Sequence, residues 1–206
     1  MKEVHPHSDA LELSWSNLAG DSPESLSRNS GARLVKGKRA LSLRLIDRDC
    51  VVDFESKSIR WSNHDGPELG KHLQILALHY LAGAGKAQIA NRLVTYRDFE
   101  GGAIYYPAFK ARTIDRIVRE FGSKPEILPH LGDAVKAERI ELATVGMRAY
   151  FFPKLPIVIA LWIGDDEVPT SANILFDANA GSIMPTEDLS VAAGVLVGRL
   201  VEISRM

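Results

Sequence analysis

A single cysteine, Cys50, is the first scarcity in this 206-residue chain. One thiol cannot close an intramolecular disulfide, which fits a reducing compartment. It cannot complete a Cys₄ or Cys₂His₂ zinc site, nor hold an iron–sulfur cluster that needs four thiolates. At the head of the segment CVVDF it is expected to be a small packed side chain. Long hydrophobic runs are missing too. The longest, IVIALWI at 157–163, is seven residues, against the roughly 20 that span a bilayer. The N-terminal stretch MKEVHPHSDALELSW is polar and carries acids where a secretory leader would be apolar. Neither charge sign is in excess, with 25 Lys and Arg against 26 Asp and Glu. No global field is therefore available to hold nucleic acid or an anionic membrane, and a charged partner must be met by a local patch. The patterns GxGxxG, GKS or GKT, GxSxG, HExxH, CxxC and the EF-hand loop do not occur. These absences predict a cytoplasmic, soluble protein with no cofactor, no nucleic-acid or membrane partner and no catalytic motif.

What is present is the composition of a folded protein, 46 % hydrophobic and 25 % charged, without repeats or low-complexity tracts. Residues 1–34 read as a polar, partly helical N-terminal segment and 35–206 as a single α+β domain. Ser22-Pro23-Glu24 has the chemistry of a helix start. ALSLRLIDRDCVVDFESKSIRW predicts two strands joined by a turn at 47–49, then a third edge near Ile59. Its alternation puts Leu41, Leu43 and Leu45 on a buried face and Ser42 and Arg44 on a wet one. Asp65-Gly66-Pro67-Glu68 is a capping-box pattern. Leu69, Leu73, Leu76 and Tyr80 after it predict a central helix, closed by Gly83-Ala84-Gly85. NRLVTYRDFEGGAIYYPAF reads as a strand, a glycine pair and a short aromatic strand. A helix is predicted over 107–121 and another opening at SKPE. RIELATVGMRAYFFP predicts a hairpin around Val145-Gly146, and LPIVIALWIG and SANILFD two further strands. A C-terminal helix should run from Thr186 to about Ser204, with Glu187 and Asp188 favoured by the dipole of its first turn. The class is α+β, with a mostly antiparallel sheet of five to eight strands and helices packed mainly on one face.

Within that helix Leu189, Ala193, Leu196, Leu200 and Ile203 form a continuous apolar stripe. Beside it Ser190, Gly194 and Gly198 recur every four residues. Glycine inside a helix costs about 1 kcal/mol against alanine. The reading is that this track allows close approach of another backbone, within the chain or from a neighbouring subunit.

Four groups carry chemistry. Asp165, Asp166 and Glu167 follow the most apolar strand, and Asp177 closes the next. If those strands pair across the turn, Ile157 faces Asp177, roughly 20 Å from the triplet. The four acids then form no single site, the triplet is a solvated turn, and Asp177 lies near Lys154. Arg112, Arg116 and Arg119 line one helix face, where a phosphate-binding surface competes with a solvated face partly neutralised by Asp115 and Glu120. His72 and His79 share a face but stand too far apart for one metal ion, so they read as satisfied, partly buried histidines. Tyr105 and Tyr106, adjacent on the expected strand, would point to opposite faces, one to the core and one to a pocket.

LVTYRDFEGGAIYYPAF and FFPKLPIVIALWIGDDEVPTSANILFDANA resemble an uncharacterised bacterial and archaeal family catalogued as a domain of unknown function and sometimes labelled an iron–sulfur protein. Glu167-x-Pro169 and the LFD of 175–177 are the more specific parts. The resemblance implies a fold and little chemistry. The expected function is a non-catalytic accessory or binding domain for a protein partner or a small ligand, with a homo-oligomer left open. Its binding residues would be Tyr105, Tyr106, Asp165, Asp166, Glu167, Asp177, Arg112 and Arg116. The alternative is a metal-dependent hydrolase, which requires Asp177 to fold back towards Asp165–Glu167.

Overall fold

The alternating segment at 40–61 folds as expected. β2 (Ala40–Leu45) and β3 (Arg48–Asp53) pair antiparallel, with Leu43 opposite Cys50 and Leu41 opposite Val52. β4 (Ser58–Trp61) follows on the far side of β3, and β1 (Arg33–Leu34) borders β2. Leu41, Leu43, Leu45, Cys50, Val52 and Ile59 share the buried face of this four-stranded meander. The turn falls at Ile46-Asp47, earlier than the expected 47–49, because Leu45 pairs directly with Arg48. A two-residue loop of this kind asks for left-handed backbone, and Ile46 adopts it at φ 54. That is strained for a β-branched residue. The strain is offset by burial of its side chain and by its amide, which donates to Phe151 O at 2.9 Å.

This structure, a computed structural model, describes residues 6–62 and 69–206. The capping box expected at 65–68 lies outside the described residues. Among those described, the strands form two antiparallel sheets of four and five rather than one. The second has the order β5-β9-β8-β7-β6, from β5 (Leu93–Thr95), β6 (Glu138–Arg139), β7 (Val145–Phe152), β8 (Leu155–Trp162) and β9 (Ser171–Asp177). The two sheets meet at the Ile46–Phe151 contact without sharing a ladder. β8 pairs with β9 as expected, one residue from the anticipated register, with Ile157 opposite Phe176. Ile157, Ile159 and Leu161 join Met147, Ala149, Ile174 and Phe176 in one apolar cluster with the helices and the first sheet. The hairpin expected around Val145-Gly146 turns earlier, over 140–144, and Gly146 sits inside β7 opposite Ala160. A Cβ there would lie 2.3 Å from Leu142 O, so this glycine serves a close backbone approach and not a reversal.

The helices are α1 (Pro6–Ser16), α2 (Pro23–Ser30), α3 (Lys71–Gly83), α4 (Gly102–Arg112), α5 (Ile114–Phe121), α6 (Ile127–Ala134), the short α7 (Ala180–Ile183) and α8 (Thr186–Ile203). Ser22 caps α2 by accepting the Ser25 amide at 3.1 Å. α3 is central: Leu76, Ala77, Leu78, Tyr80 and Leu81 are buried, and Tyr80 stacks on Phe152 at 4.4 Å between centroids. A Cβ on Gly83 would meet Ile183 O at 1.8 Å, so only glycine lets α3 end against α7.

Two expectations fail on the helices. The segment GAIYYPAF is helix, not strand. Gly101 starts α4 in left-handed conformation (φ 71), and Gly102 passes Tyr96 O so closely that a Cβ would stand 2.0 Å from it. The Tyr96 ring then stacks on Phe109 at 4.1 Å, a contact that needs α4 to be helical and outweighs the β-propensity of Ile104-Tyr105-Tyr106. Pro107 sits inside the helix instead of opening it. The second failure concerns α8. Its apolar stripe is buried as expected, with Leu189, Ala193, Leu196 and Leu200 at 0 % exposure. The glycine track is not a packing seam. Among the described residues nothing lies within 4 Å of a Cβ built on Gly194, and the nearest atom to one on Gly198 is Arg116 Nη1 at 3.6 Å.

Candidate functional site

The open track on α8 is the floor of a groove, and the chain places cations over it. Thr113, at φ −122 and ψ −75, interrupts what the sequence suggests is one helix and splits it into α4 and α5. Its hydroxyl donates to Phe109 O at 2.7 Å and its amide closes the last turn of α4. The break redistributes the charges. Asp115, three residues from Arg112, is paired with Lys110 instead. Glu120, four from Arg116, accepts from Arg119 at 3.3 Å and from Arg205 at 3.2 Å. Burial alone would raise the Glu120 carboxyl; the hydrogen bonds from Arg205 and Arg119 outweigh it and hold the group below its ordinary value. The neutralisation expected within the stripe therefore does not reach Arg112 and Arg116. Among the described residues neither has a carboxylate partner.

Arg112, Arg116 and Arg119 line one wall of a groove of about 470 Å³, with His72 from α3 and a floor of Ser190, Val191, Gly194 and Val195. The volume is that of a small-molecule site, about 300–1,000 Å³. Guanidiniums present planar forks of donors suited to two oxygens of a phosphate, sulfate or carboxylate. At Gly194 the floor carries no side chain, so a ligand can approach the helix backbone there.

The other expected binding residues lie apart from this groove. Tyr105 is half exposed, seven residues before Arg112 and so on the same face of α4, about 10 Å away along the axis. Tyr106 is covered by the Arg97 guanidinium, 3.7 Å from its ring centroid, and leans on Phe109. Asp165, Asp166 and Glu167 are exposed in the β8–β9 turn. Asp165 Oδ1 accepts the amides of Glu167 and Val168, each at 2.9 Å, and these bonds hold its carboxyl below the ordinary range. Asp177 stands at the opposite end of β9 and does not pair with Lys154. Its oxygens accept three backbone amides, from Ala90 (2.9 Å), Asn91 (2.7 Å) and Asn179 (3.0 Å). Lys154 Nζ instead donates to Ala84 O at 3.4 Å. The acids therefore do not converge as a hydrolytic metal centre requires, and no group of three or more metal-ligating side chains exists among the described residues.

One constellation escaped the sequence because its members are 65 and 109 residues apart. His79 Nδ1 lies 2.6 Å from Asp188 Oδ2, and His79 Nε2 lies 3.0 Å from Ser14 Oγ. The connectivity is that of a Ser–His–Asp triad, but the hydrogen placement is not. Ser14 is 2 % exposed and donates its only hydroxyl hydrogen to Ala10 O at 2.7 Å. Its lone pairs, not its hydrogen, therefore face the imidazole. The Asp188 hydrogen bond, working against burial, raises His79 above its ordinary value. The arrangement is a histidine-centred clamp that ties α1 and α3 to the first turn of α8.

An α+β protein with two antiparallel sheets and an open cationic groove is the class these features define. The chain belongs to the family described as a domain of unknown function, DUF3786, whose model matches residues 22–199, from the N-cap of α2 into α8. No curated protein and no solved structure matches it. No described helix is long and apolar enough to cross a membrane.

Proposed function

We propose that this protein is a non-catalytic accessory domain that binds a small anionic ligand in the groove that α8 forms with α5 and the end of α4. The observation that carries the reading is the pair Arg112 and Arg116, without carboxylate partners among the described residues, over the side-chain-free floor at Gly194. Two helical glycines cost stability that no packing contact among the described residues repays. Space for a ligand explains them. Calorimetric titration with inorganic phosphate and pyrophosphate at low ionic strength tests the reading, since exposed charges are screened within about 10 Å at 0.1 M salt. Saturable binding should appear, and the double substitution Arg112→Ala/Arg116→Ala should weaken it at least tenfold. Absence of binding, or binding that the double variant leaves intact, refutes it.

A second reading has its own support. Trp162, Ile163 and Val168 are exposed at 41, 37 and 60 % beside the three carboxylates of the β8–β9 turn. This apolar rim with an acidic tip suits a protein partner offering a basic, partly apolar surface. Pull-down from the protein's own host with wild type and Trp162→Ser/Val168→Ser compares the two readings. A partner retained by both forms rules out the turn as its docking point.

A further inference from the structure

The groove does not end at the arginines. Val195 is shared with a second compartment of about 260 Å³, where the floor continues as Gly198 and Leu45, Trp61 and Leu73 form apolar walls. Gly194 and Gly198 are one turn apart, about 6 Å along α8. Arg116 reaches across the junction, its Nη1 3.6 Å from the position a Gly198 Cβ would take.

The two compartments differ in charge. The first brings three guanidiniums together, and its lining holds no carboxylate among the described residues. The second contains Arg48 and Arg199 against Asp47 and Glu202, which balances formally. Its charges are also largely consumed. Arg199 bonds Asp47 at 2.7 Å and Glu202 at 2.8 Å, and Arg48 lies over the Trp61 ring at 5.5 Å. A second anionic group would gain little there, whereas an uncharged flat body would lie against the helix backbone at Gly198 and between apolar walls.

We propose that the ligand is a phosphorylated aromatic small molecule of nucleoside monophosphate size, its phosphate at Arg112, Arg116 and Arg119 and its ring over Gly198 between Trp61 and Leu73. This rests on the anion reading given above. The order is fixed by the charge asymmetry, and the span by the single helical turn between the two glycines.

Calorimetric titrations of the full chain with adenosine 5′-monophosphate, ribose 5-phosphate and adenosine test it, with inorganic phosphate as reference. The nucleotide should bind at least tenfold more tightly than ribose 5-phosphate, which carries the same phosphate and lacks the ring. Arg112→Ala/Arg116→Ala should weaken both at least tenfold. Gly198→Leu extends into the second compartment from a position where, among the described residues, the flexible end of Arg116 at 3.6 Å is the one neighbour, and it should bring the ratio of the two affinities to near one. Equal affinities for the nucleotide and the sugar phosphate, with inorganic phosphate still bound, overturn the inference and leave the anion site standing. No binding of any phosphate overturns both. Adenosine binding as tightly as the nucleotide, or a ratio unchanged by Gly198→Leu, overturns the proposed orientation. If the arginine variant does not fold, the Gly198→Leu ratio decides alone.

Discussion

Replacing Gly194 and Gly198 of α8 with alanine should stabilise the protein. Both positions lie well inside an 18-residue helix, where glycine is less favourable than alanine by about 0.8–1.0 kcal/mol, chiefly through the extra freedom it recovers on unfolding. The gain survives only if the new methyl group has room. At Gly194 no described residue comes within 4 Å of it, so it neither clashes nor packs. At Gly198 the single neighbour among the described residues is the end of the flexible Arg116 side chain at 3.6 Å, an ordinary contact. Each substitution should therefore add about 0.5–1 kcal/mol and the pair about 1–2 kcal/mol, allowing for partial exposure. For a chain of this size 1 kcal/mol moves the melting temperature by about 2–4 °C, so the double variant should melt about 2–8 °C higher. Urea unfolding followed by circular dichroism measures the same quantity, as a higher midpoint at unchanged slope. Destabilisation at either site would mean that backbone approaches α8 there, from a neighbouring subunit or another part of the chain. The groove would then not exist in solution.

Three further outcomes follow from buried polar contacts. Asp177→Ala should cost about 2–4 kcal/mol, because it strands three amides that now donate to one carboxylate; a urea midpoint near wild type would show that water replaces it freely. His79 is raised by Asp188, so its folded form holds the proton more tightly than the unfolded chain. That stabilisation is complete below the unfolded value near 6.5 and is lost as pH climbs through the folded pKa. Wild type should thus weaken above about pH 6.5 relative to Asp188→Asn; parallel pH profiles for the two proteins would remove the clamp. Cys50 is fully buried, and burial, helped by Asp49, pushes its thiol up to about 12. An aromatic disulfide reagent at pH 8 should therefore label it only in denaturant, and rapid labelling of native protein would contradict its placement.

Periodic and local features were legible in the sequence. The alternation of Leu41, Leu43 and Leu45 names the inner face of β2, because successive strand residues point to opposite sides. The stripe from Leu189 to Leu200 names the buried face of α8, and Ser22 with its following Pro23 marks the start of α2. The β8–β9 pairing and the exposure of its acidic turn followed from two apolar runs around a polar break. These are decided within a few residues, by backbone geometry and by which side of an element meets water.

Contacts between distant segments decided the rest. Ile104-Tyr105-Tyr106 reads as strand by propensity, and it is the stack of Tyr96 on Phe109 and the passage of Gly102 under Tyr96 O that make it helix. Gly194 and Gly198 read as a seam, and only the placement of α5 and α3 shows that they floor an open groove. Arg112 looked neutralised by Asp115, until the break at Thr113 left that carboxylate with Lys110. The Ser14–His79–Asp188 clamp and the amides of Ala90 and Asn91 on Asp177 join residues separated by more than 60 positions. No periodicity encodes such partners. A carboxylate, a guanidinium or a glycine takes its role from what the folded chain sets within a few ångströms of it, since hydrogen bonds and steric contact act only at that range.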